Sequence, residues 1–333
     1  MKKRNVFAAI TFALSLSGMV GHAVAAGIDD PRRDDYYKTF TGKTIAFVPV
    51  TMGIDLTEGW ASVLKQQADS LGMKFEVRDP HFSADAGAQA ITALISEKPD
   101  VLIVHNPDVN SYAKLLKRAE EAGIHVIQVN MRSNYNSDVY VGADWIAIGE
   151  AETQAVVDRC GSGTSGKVAI LEGVPTSGSD SGMRKGAEHV LTKHPEIKLV
   201  SDQGADWDAT KAHTIISTVI QQNPDLCGVV GFWDVMDLGA AAAIKESGKN
   251  IALVTSGGGE QMACDNVEKG VFQEEVEYNV MQQGRDLVNM VTMVLEDGQP
   301  AGKQKVVIYS PQIKITKDTI HAGSCWSAKT LQK

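Results

Sequence analysis

Two successive stretches of this chain repeat one order of predicted elements, and this repetition constrains the fold more than any other feature. Between Thr44 and Val129, short β-branched and aromatic runs alternate with apolar runs of helical period, and the alternation returns between Lys167 and Tyr278. Strands that alternate with helices are typical of parallel sheets covered by helices on both faces. The sequence therefore predicts an α/β protein of two doubly wound parallel-sheet lobes.

The run from Asp138 to Glu150 lies between the two stretches. It begins as a short strand at Val139 to Val141 and continues as an apolar-periodic helix from Trp145. Gly142 to Asp144 separate the strand from the helix and form the candidate hinge. Two roles for Asp144 remain open, namely hydrogen bonding at the hinge and contact with a ligand.

The length of the chain agrees with two lobes and an additional leader. Its 333 residues, 43% of them apolar, exceed what one ordinary domain of about 100 to 200 residues needs. Residues 1–25 have the pattern of a secretory signal peptide, with a basic start, an apolar stretch from Val6 to Leu16 and an A-x-A cleavage site ending at Ala25. We therefore expect a periplasmic mature chain that begins near Ala26. The polar residues 29–37 are expected to form a loose lead-in.

The charge of the chain argues against nucleic acid and anionic membranes as partners. The formal net charge is −9, and the leader carries three basic residues and no acidic one, so its removal makes the chain more acidic. Such a chain lacks the basic surface that binds phosphate groups. We expect no nucleic-acid partner and no membrane partner of this kind.

Four cysteines follow the leader, and this even number permits three disulfide pairings in an oxidising compartment. Cys160 ends a predicted helix and Cys227 begins a predicted strand, so both could lie at the same edge of one sheet. Cys264 lies in a predicted helix and Cys325 in the terminal tail. We predict the pairs Cys160 with Cys227 and Cys264 with Cys325. No metal is expected, because no C-x-x-C or H-x-x-x-H spacing occurs.

Polar and aromatic side chains follow the predicted strands in both halves. Ligands of doubly wound sheets bind outside the carboxyl ends of the strands, so these residues are the candidates. Carboxylate and amide groups can pair with two hydroxyls each, and an aromatic ring can cover the C–H side of a sugar or polyol. With Asp144, the predicted ligand-binding residues are Asp55, Thr57, Glu58, His105, Asn106, Asn130 and Arg132 in the first half, and Asp180, Ser181, Trp207, Trp233, Asp234 and Tyr278 in the second.

Some of these residues also have a simpler structural interpretation. His105 could pack or cap instead of contacting a ligand, and Glu58 could be a first-turn carboxylate favoured by the helix dipole. Trp60 and Trp145 lie at the starts of predicted helices and are expected to pack inside their lobes.

Two glycine-rich runs are candidates for ligand binding, and the first resembles a phosphate-binding motif. The run from Gly161 to Lys167 matches G-x-x-x-x-G-K, but Val168 stands where Ser or Thr is needed, and the run precedes a strand. Gly257 to Gly259 follows a strand, so its N–H groups could face a ligand, or it could form a simple turn. We expect no cofactor.

The pattern as a whole resembles the periplasmic solute-binding proteins of the ribose-binding, type I class, which deliver sugars to ABC importers. The resemblance covers nearly all of the chain after the leader. It rests on Ile45-Ala-Phe-Val-Pro49, Ile127-Gln-Val-Asn130, Val141-Gly-Ala-Asp-Trp145, Ala205-Asp-Trp-Asp208 and Asp234-Val-Met-Asp-Leu-Gly239.

The resemblance implies two Rossmann-like lobes joined by a three-stranded hinge, with the ligand cleft between them. Crossings are expected near Ala143, near Tyr278 to Asn279 and near Ser310. The N-terminal lobe would comprise residues 26–143 and 279–309, and the C-terminal lobe residues 144–278 and 310–333. All four cysteines would then lie in the second lobe.

The predicted pocket departs from the pattern of that family. Asn130 stands where the family has an aspartate that binds sugar hydroxyls, and Met131 replaces the arginine that follows it. Trp207 matches a stacking aromatic. Trp233 stands where a ligand-binding asparagine is usual, and Gly257 where an aspartate is usual. These departures argue against ribose and suggest a linear polyol or an unusual sugar.

The resemblance implies transport as the leading function. A monomeric receptor would close on a small hydroxylated solute and present the closed form to the membrane subunits of an ABC importer. The alternative is a periplasmic partner of a membrane sensor, with Trp207 and Trp233 caging an amine oxide. An enzyme is not expected, because no G-x-S-x-G elbow, metal-ligand spacing or Cys-His nucleophile pattern occurs. A transcription regulator is not expected either, because no DNA-binding segment precedes Thr44.

Overall fold

The structure is a computed structural model that describes residues 31–327. The predicted signal peptide at residues 1–25, with its cleavage site, lies outside the described residues. No helix within residues 31–327 combines the length and the apolar character needed to cross a membrane.

The first lobe is built on a sheet of six parallel strands. These are β1 (Thr44–Val48), β2 (Lys74–Val77), β3 (Val101–Val104), β4 (His125–Val129), β5 (Val139–Ala143) and β11 (Val306–Ser310), in the order β11-β5-β4-β3-β1-β2. Its helices are α1 (Pro31–Phe40), α2 (Asp55–Leu71), α3 (Ala84–Glu97), α4 (Ala113–Glu121) and α10 (Val280–Glu296). Every residue of the Val-Leu-Ile-Val run of β3 is buried, as expected for a strand with helices on both faces.

The second lobe repeats this arrangement. Its strands are β6 (Lys167–Glu172), β7 (Lys198–Gly204), β8 (Gly228–Gly231), β9 (Ala252–Gly257), β10 (Glu274–Glu277) and β12 (Ile313–Ile315), in the order β12-β10-β9-β8-β6-β7. Its helices are α5 (Trp145–Cys160), α6 (Gly178–Leu191), α7 (Ala209–Gln222), α8 (Asp234–Ser247) and α9 (Gln261–Lys269). Only β12 among these strands runs antiparallel to its neighbour. The predicted fold class, two parallel-sheet α/β lobes, is confirmed.

The chain passes between the two sheets three times. It leaves the first sheet after β5, returns between β10 and α10, and leaves again between β11 and β12. The segment 306–315, which the sequence predicts as one extended run, is therefore two strands that belong to different sheets.

The segment before β1 corrects one sequence prediction. Residues 31–40 form helix α1, where the sequence predicts a loose lead-in at residues 29–37. Tyr36 and Phe40 lie one helical turn apart with their rings in edge contact at 4.7 Å, and Phe40 is fully buried. This pair gives a polar segment one short apolar stripe to pack on the lobe. Two aromatic residues among charged ones are too few for a recognisable helical period.

Both predicted disulfides are present, and both lie in the second lobe. Cys160 at the end of α5 pairs with Cys227 just before β8, and Cys264 in α9 pairs with Cys325 in the C-terminal tail. The predicted pairing is confirmed.

The second disulfide anchors a tail that reaches both lobes. Beside Cys325, the backbone N–H of Trp326 donates to the carbonyl of Gly259 at 2.9 Å, and its indole N–H donates to the carbonyl of Gly258 at 2.8 Å. The far edge of the indole lies against Gly59 of α2, in the first lobe, where a Cβ atom would be only 2.7 Å from the ring. A side chain at position 59 would therefore clash with the ring of Trp326.

The carboxyl edge of the second sheet holds a cluster of buried acidic side chains, namely Asp234, Glu260, Glu275 and Glu277. The carboxyl groups of Asp234 and Glu275 both approach Gly257, with oxygen atoms 2.6 Å and 2.8 Å from where its Cβ would be. Both oxygens of Glu275 lack a hydrogen-bond partner among the described residues. No group of acidic, histidine or cysteine side chains in residues 31–327 is arranged to hold a metal ion.

The pKa values of these carboxyl groups are raised. Burial raises the pKa of Glu260 to about 7, with repulsion from Asp55 adding to it, and burial raises that of Glu277 to about 8, with repulsion from Glu260 adding to it. Burial also raises the pKa values of Asp234 and Glu275 well above the usual range. Asp234, Glu275 and Glu277 are therefore largely protonated at neutral pH, whereas Glu260 is about half ionised.

The contact between Trp326 and Gly59 predicts opposite effects for two glycine substitutions. Alanine in place of a helical glycine stabilises by about 1 kcal/mol where there is room. We expect this for Gly284→Ala in α10, where the nearest atom to the new Cβ would be 3.4 Å away. Gly59→Ala should instead destabilise by about 1–3 kcal/mol, because the tethered indole must move. Thermal unfolding of both variants measures the difference, and equal stabilisation would contradict the account.

The protonated carboxyl groups predict how Glu277→Gln changes stability with pH. An unfolded glutamate has a pKa near ~4.3, and folded Glu277 has one of about 8. The folded chain thus holds a proton that the unfolded chain has lost, so the stability from this group is lost as the pH rises between these values. An amide does not ionise. The melting temperature of Glu277→Gln, measured relative to that of the wild type, should therefore rise as the pH is raised from 5 to 8. The exposed Glu268→Gln is the control, and a pH-independent difference for Glu277→Gln would contradict the prediction.

Candidate functional site

A cavity lies between the carboxyl edges of the two sheets and takes its walls from both lobes. Six aromatic rings line it: Phe82, Trp145, Trp207, Phe232, Trp233 and Tyr278. The remaining lining residues are Val50, Ile54, Leu56, His105, Asn130, Met131 and Ser179. None of the lining side chains is a carboxylate, a lysine or an arginine. The cavity is therefore mostly apolar, with a few neutral polar groups.

The two lobes touch each other around this cavity. The backbone N–H of Val109, after β3, donates to the carbonyl of Thr176, after β6, at 3.1 Å. At Gly178, the first residue of α6, a Cβ would lie 2.8 Å from the carbonyl oxygen of Arg132 in the first lobe. The structure thus shows the lobes in a closed arrangement.

Asn130 connects the cavity wall to its surroundings through its backbone and its side chain. Its carbonyl accepts hydrogen bonds from the hydroxyl of Tyr140 at 2.6 Å and from the indole of Trp145 at 2.9 Å. Its side-chain oxygen lies 3.4 Å from the amide nitrogen of Gln283, and its side-chain nitrogen lies 3.5 Å from Nε2 of His105. These two contacts are long, so the amide retains hydrogen-bonding capacity for a solute.

His105 contributes a neutral imidazole to the cavity. It is almost completely buried, and this burial lowers its pKa to about 3. One ring nitrogen is then a donor and the other an acceptor, and Nδ1 has no partner among the described residues. Its ring meets that of the buried Trp60 edge-on at 5.1 Å. His105 can exchange hydrogen bonds with a hydroxyl group but offers no charge.

The aromatic walls are held in fixed positions. The rings of Trp207 and Trp233 meet edge-on at 5.9 Å, and those of Trp145 and Tyr278 at 5.1 Å. Trp207 lies against Gly173, where a Cβ would be 2.1 Å from the indole, so only glycine fits there. Burial raises the pKa of Tyr278 well above its usual value, and so do nearby carboxyl groups, Glu260 first among them. The phenol therefore keeps its proton and can donate.

Backbone strain is concentrated around the cavity. Five of the seven non-glycine residues with positive φ in residues 31–327 line the cavity or precede a lining residue: His81, Phe82, Asn130, Asp206 and Trp207. The left-handed region costs such residues roughly 1–2 kcal/mol each. Such strain clusters at functional sites.

The predicted ligand-binding residues fall into three groups in the structure. His105, Asn130, Trp207, Trp233 and Tyr278 line the cavity. Arg132, Asp144 and Ser181 line a separate outer groove beside Tyr140 and Tyr309. In that groove the guanidinium of Arg132 lies 5.8 Å from the ring centre of Tyr140, and Asp144 caps α5 by accepting from the N–H of Ala147 at 3.2 Å.

The third group lines neither the cavity nor the groove, and five of its six members form hydrogen bonds within their own lobe. Asp55 is exposed at the start of α2, Thr57 donates to the carbonyl of Ile54, and Glu58 accepts from the N–H of Gly53. Asn106 is buried and donates to Gln128 and to the carbonyl of Met131. Asp180 accepts from the N–H of Gly173, and Asp234 from that of Val235. Solute contact by these residues stays a prediction.

Several lining residues were missed because they are apolar. Phe82 follows β2, Phe232 follows β8 and Trp145 follows β5, so the rule of strand ends points to all three. An apolar side chain after a strand is most often part of the core, and sequence alone offers no way to separate the two roles. The interpretation of Trp145 as packing is half right, since it packs against Tyr278 and also lines the cavity.

Comparison with known proteins agrees with this architecture. Residues 45–300 match the model of the periplasmic binding protein domain. The chain is 26% identical to the ribose import binding protein RbsB of Bacillus subtilis over 226 residues, or 67% of this chain and 72% of that protein. It is 28% identical to the D-allose-binding periplasmic protein of Escherichia coli, over 60% of this chain and 65% of that protein. It is 31% identical to the xylitol-binding protein of Mycolicibacterium smegmatis, over 56% and 53% respectively.

Solved structures show the same fold. An ABC transporter solute-binding protein from Agrobacterium vitis, bound to α-D-tagatopyranose, superposes with a TM-score of 0.76 at 22% identity, covering 85% of this chain and 97% of that one. A periplasmic solute-binding protein from Actinobacillus succinogenes with bound D-allose superposes with a TM-score of 0.72, also at 22% identity, over 83% and 98%. The family model spans most of the chain, and the two-lobe fold agrees with it. The chain belongs to the periplasmic binding protein family.

Proposed function

We propose that this protein captures a small, neutral, hydroxylated solute, a sugar or a polyol, in the cavity between its lobes and delivers it to an ABC importer. The observation that carries the proposal is the chemistry of the cavity wall. Six aromatic rings surround neutral polar groups, and no charged side chain lines the space. Aromatic faces cover the C–H side of a sugar, and neutral donors and acceptors pair with its hydroxyls.

The polar contacts come from four side chains. Asn130 and His105 lie together on the first-lobe wall, whereas Ser179 belongs to the second lobe and Tyr278 to the segment that joins the lobes. A solute that bonds to both walls favours the closed arrangement, because the open one separates these groups. Leaving such buried groups unpaired costs about 1–3 kcal/mol each, so a solute without matching hydroxyls is rejected.

The neutral wall favours sugars and polyols over the amine-oxide alternative. The formally positive nitrogen of an amine oxide would be attracted by a carboxylate near the aromatic rings. The nearby carboxyl groups of Asp234, Glu260 and Glu275 do not line the cavity, and the raised pKa values of Asp234 and Glu275 keep these two largely protonated at neutral pH. The curated relatives named above are a ribose, a D-allose and a xylitol binding protein, which supports the same choice.

The family also supports the cellular context that we propose. The chain acts in the periplasm as a monomer after cleavage near Ala25, docks on the membrane subunits of its importer and is not an enzyme. We assign residues 26–143 with 279–309 to one lobe and residues 144–278 with 310–333 to the other. The sheet membership of the strands supports this division, except that β11 ends one residue later, at Ser310.

The proposal predicts a selective thermal shift. The mature protein is screened against aldoses, sugar alcohols, inositols and, as a contrast, trimethylamine N-oxide and quaternary amines. A solute present at about 1,000 times its Kd should add ~4 kcal/mol of stability, which raises the melting temperature by several degrees. We expect the shift with a sugar or polyol. A shift with amine compounds alone would contradict the proposal.

Substitution of the stacking ring gives a second test. Trp207→Ala should weaken binding of the solute found in the screen by at least about 2 kcal/mol, or roughly thirtyfold in Kd, because a central aromatic contact is lost. Isothermal titration calorimetry measures the change. Tyr309→Ala removes an exposed ring outside the cavity lining and should leave Kd unchanged. Unchanged affinity of Trp207→Ala would remove this ring from the site.

A further inference from the structure

The C-terminal tail adds a contact between the lobes that is separate from the three crossings. Trp326 follows Cys325, whose disulfide to Cys264 fixes the tail to α9 of the second lobe. The carbonyl of Trp326 accepts from the N–H of Gln261, at the start of α9, at 2.7 Å. Its own backbone and indole N–H groups donate to the loop after β9. The second lobe therefore determines where Trp326 lies.

Two neighbouring residues of the tail pack on different apolar clusters. Cys325 packs against the core of the second lobe, whereas Trp326 packs against a cluster that includes Leu56 and Trp60 of α2. The Cη2 and Cζ3 atoms of the indole lie 2.7 Å and 3.2 Å from where the Cβ of Gly59 would be. The ring thus contacts the first lobe although its backbone is fixed to the second.

The ring of Trp326 also lies beside the second crossing. One methyl group of Val280 is 3.3 Å from the same Cβ position at Gly59, and the other is 2.5 Å from where the Cβ of Gly258 would be. The N–H of Val280 donates to the carbonyl of Gly258 at 3.4 Å, and the indole of Trp326 donates to the same carbonyl at 2.8 Å. The tail, the second crossing and the start of α2 are therefore packed together.

Trp326 lies near the cavity but does not line it. Leu56, one helical turn before Gly59, and Tyr278, two residues before Val280, are both lining residues. Any effect of Trp326 on solute binding therefore acts through the arrangement of the lobes and not through contact with the solute. Rotation of the first lobe about the crossings moves α2 relative to a ring that stays with the second lobe.

We propose that Trp326 is a positioning residue for closure of the lobes. Held on the second lobe by the disulfide between Cys264 and Cys325, its ring packs on α2 at Gly59 and favours the closed arrangement through the apolar surface that it buries. This inference rests on the proposed function and adds the tail to it. A protein whose binding-competent state is more populated binds its solute more tightly. The tail disulfide therefore contributes to affinity from outside the cavity.

The two disulfides provide matched variants for a test. Their sequence separations are similar, 67 residues for Cys160 with Cys227 and 61 for Cys264 with Cys325. Replacing either pair by serine should therefore lower the melting temperature to a similar extent. Cys227 precedes β8, so the first disulfide lies at the amino edge of the second sheet, whereas the cavity lies at the carboxyl edge. Only the second disulfide holds the ring that reaches α2.

The test is calorimetric titration of the mature protein with D-ribose, D-allose, xylitol and any further sugar or polyol that shifts its melting temperature. Cys264→Ser combined with Cys325→Ser should raise the Kd of the solute that binds by about fivefold or more, and so should Trp326→Ala. Cys160→Ser combined with Cys227→Ser should leave Kd unchanged. Trp326→Phe keeps a smaller aromatic ring and should restore part of the affinity that Trp326→Ala loses.

Other results would overturn the inference in distinguishable ways. If Trp326→Ala binds the solute as the wild type does, the proposed function stands and Trp326 has no role in closure. An equal rise in Kd for both pairs of serine substitutions would also overturn the inference, because general destabilisation would then explain the change. If the wild type binds none of the three solutes at millimolar concentration and no other sugar or polyol shifts its melting temperature, the proposed function fails and the inference fails with it.

Discussion

The hydrogen bond from the indole of Trp145 to the backbone carbonyl of Asn130, at 2.9 Å, joins the first residue of a second-lobe helix to the cavity wall of the first lobe. The hydroxyl of Tyr140 reaches the same carbonyl, so one acceptor is shared by residues on both sides of the first crossing. Because this carbonyl is fixed, the left-handed Asn130 holds its side chain beside His105. The indole also packs on Tyr278, at the second crossing.

The side chains that line the cavity are uncharged, and most of the buried carboxyl groups next to it are protonated at neutral pH. Next to Trp233 and Tyr278 lies the cluster of buried acidic side chains, and burial keeps Asp234, Glu275 and Glu277 largely protonated at neutral pH. Burial likewise keeps His105 uncharged and Tyr278 protonated. A site that offers rings and neutral hydrogen-bonding groups suits a solute that is itself neutral.

The sequence predicts the architecture well because periodicity and chain order determine it. Buried parallel strands such as Val101 to Val104 have a clear apolar signature. The positions of Cys160 and Cys227 at one predicted sheet edge indicate the first disulfide, and the remaining two cysteines form the second. Helix α1 was missed because only Tyr36 and Phe40 mark its packed side. The site was predicted less completely. The rule of strand ends finds His105, Asn130, Trp207, Trp233 and Tyr278, but it does not separate polar side chains that face the cavity from those that satisfy their own loops, as Asp180 and Asn106 do.

Small-angle X-ray scattering of the mature protein, with and without the sugar or polyol that gives the largest thermal shift, tests the central claim most directly. In the closed structure the N–H of Val109 bonds to the carbonyl of Thr176 across the lobes. We predict that the solute-free protein has the larger radius of gyration, because this contact opens, and that saturation with the solute reduces the radius to that of the closed structure. Binding of the solute without any change in the radius would contradict capture by closure of the lobes.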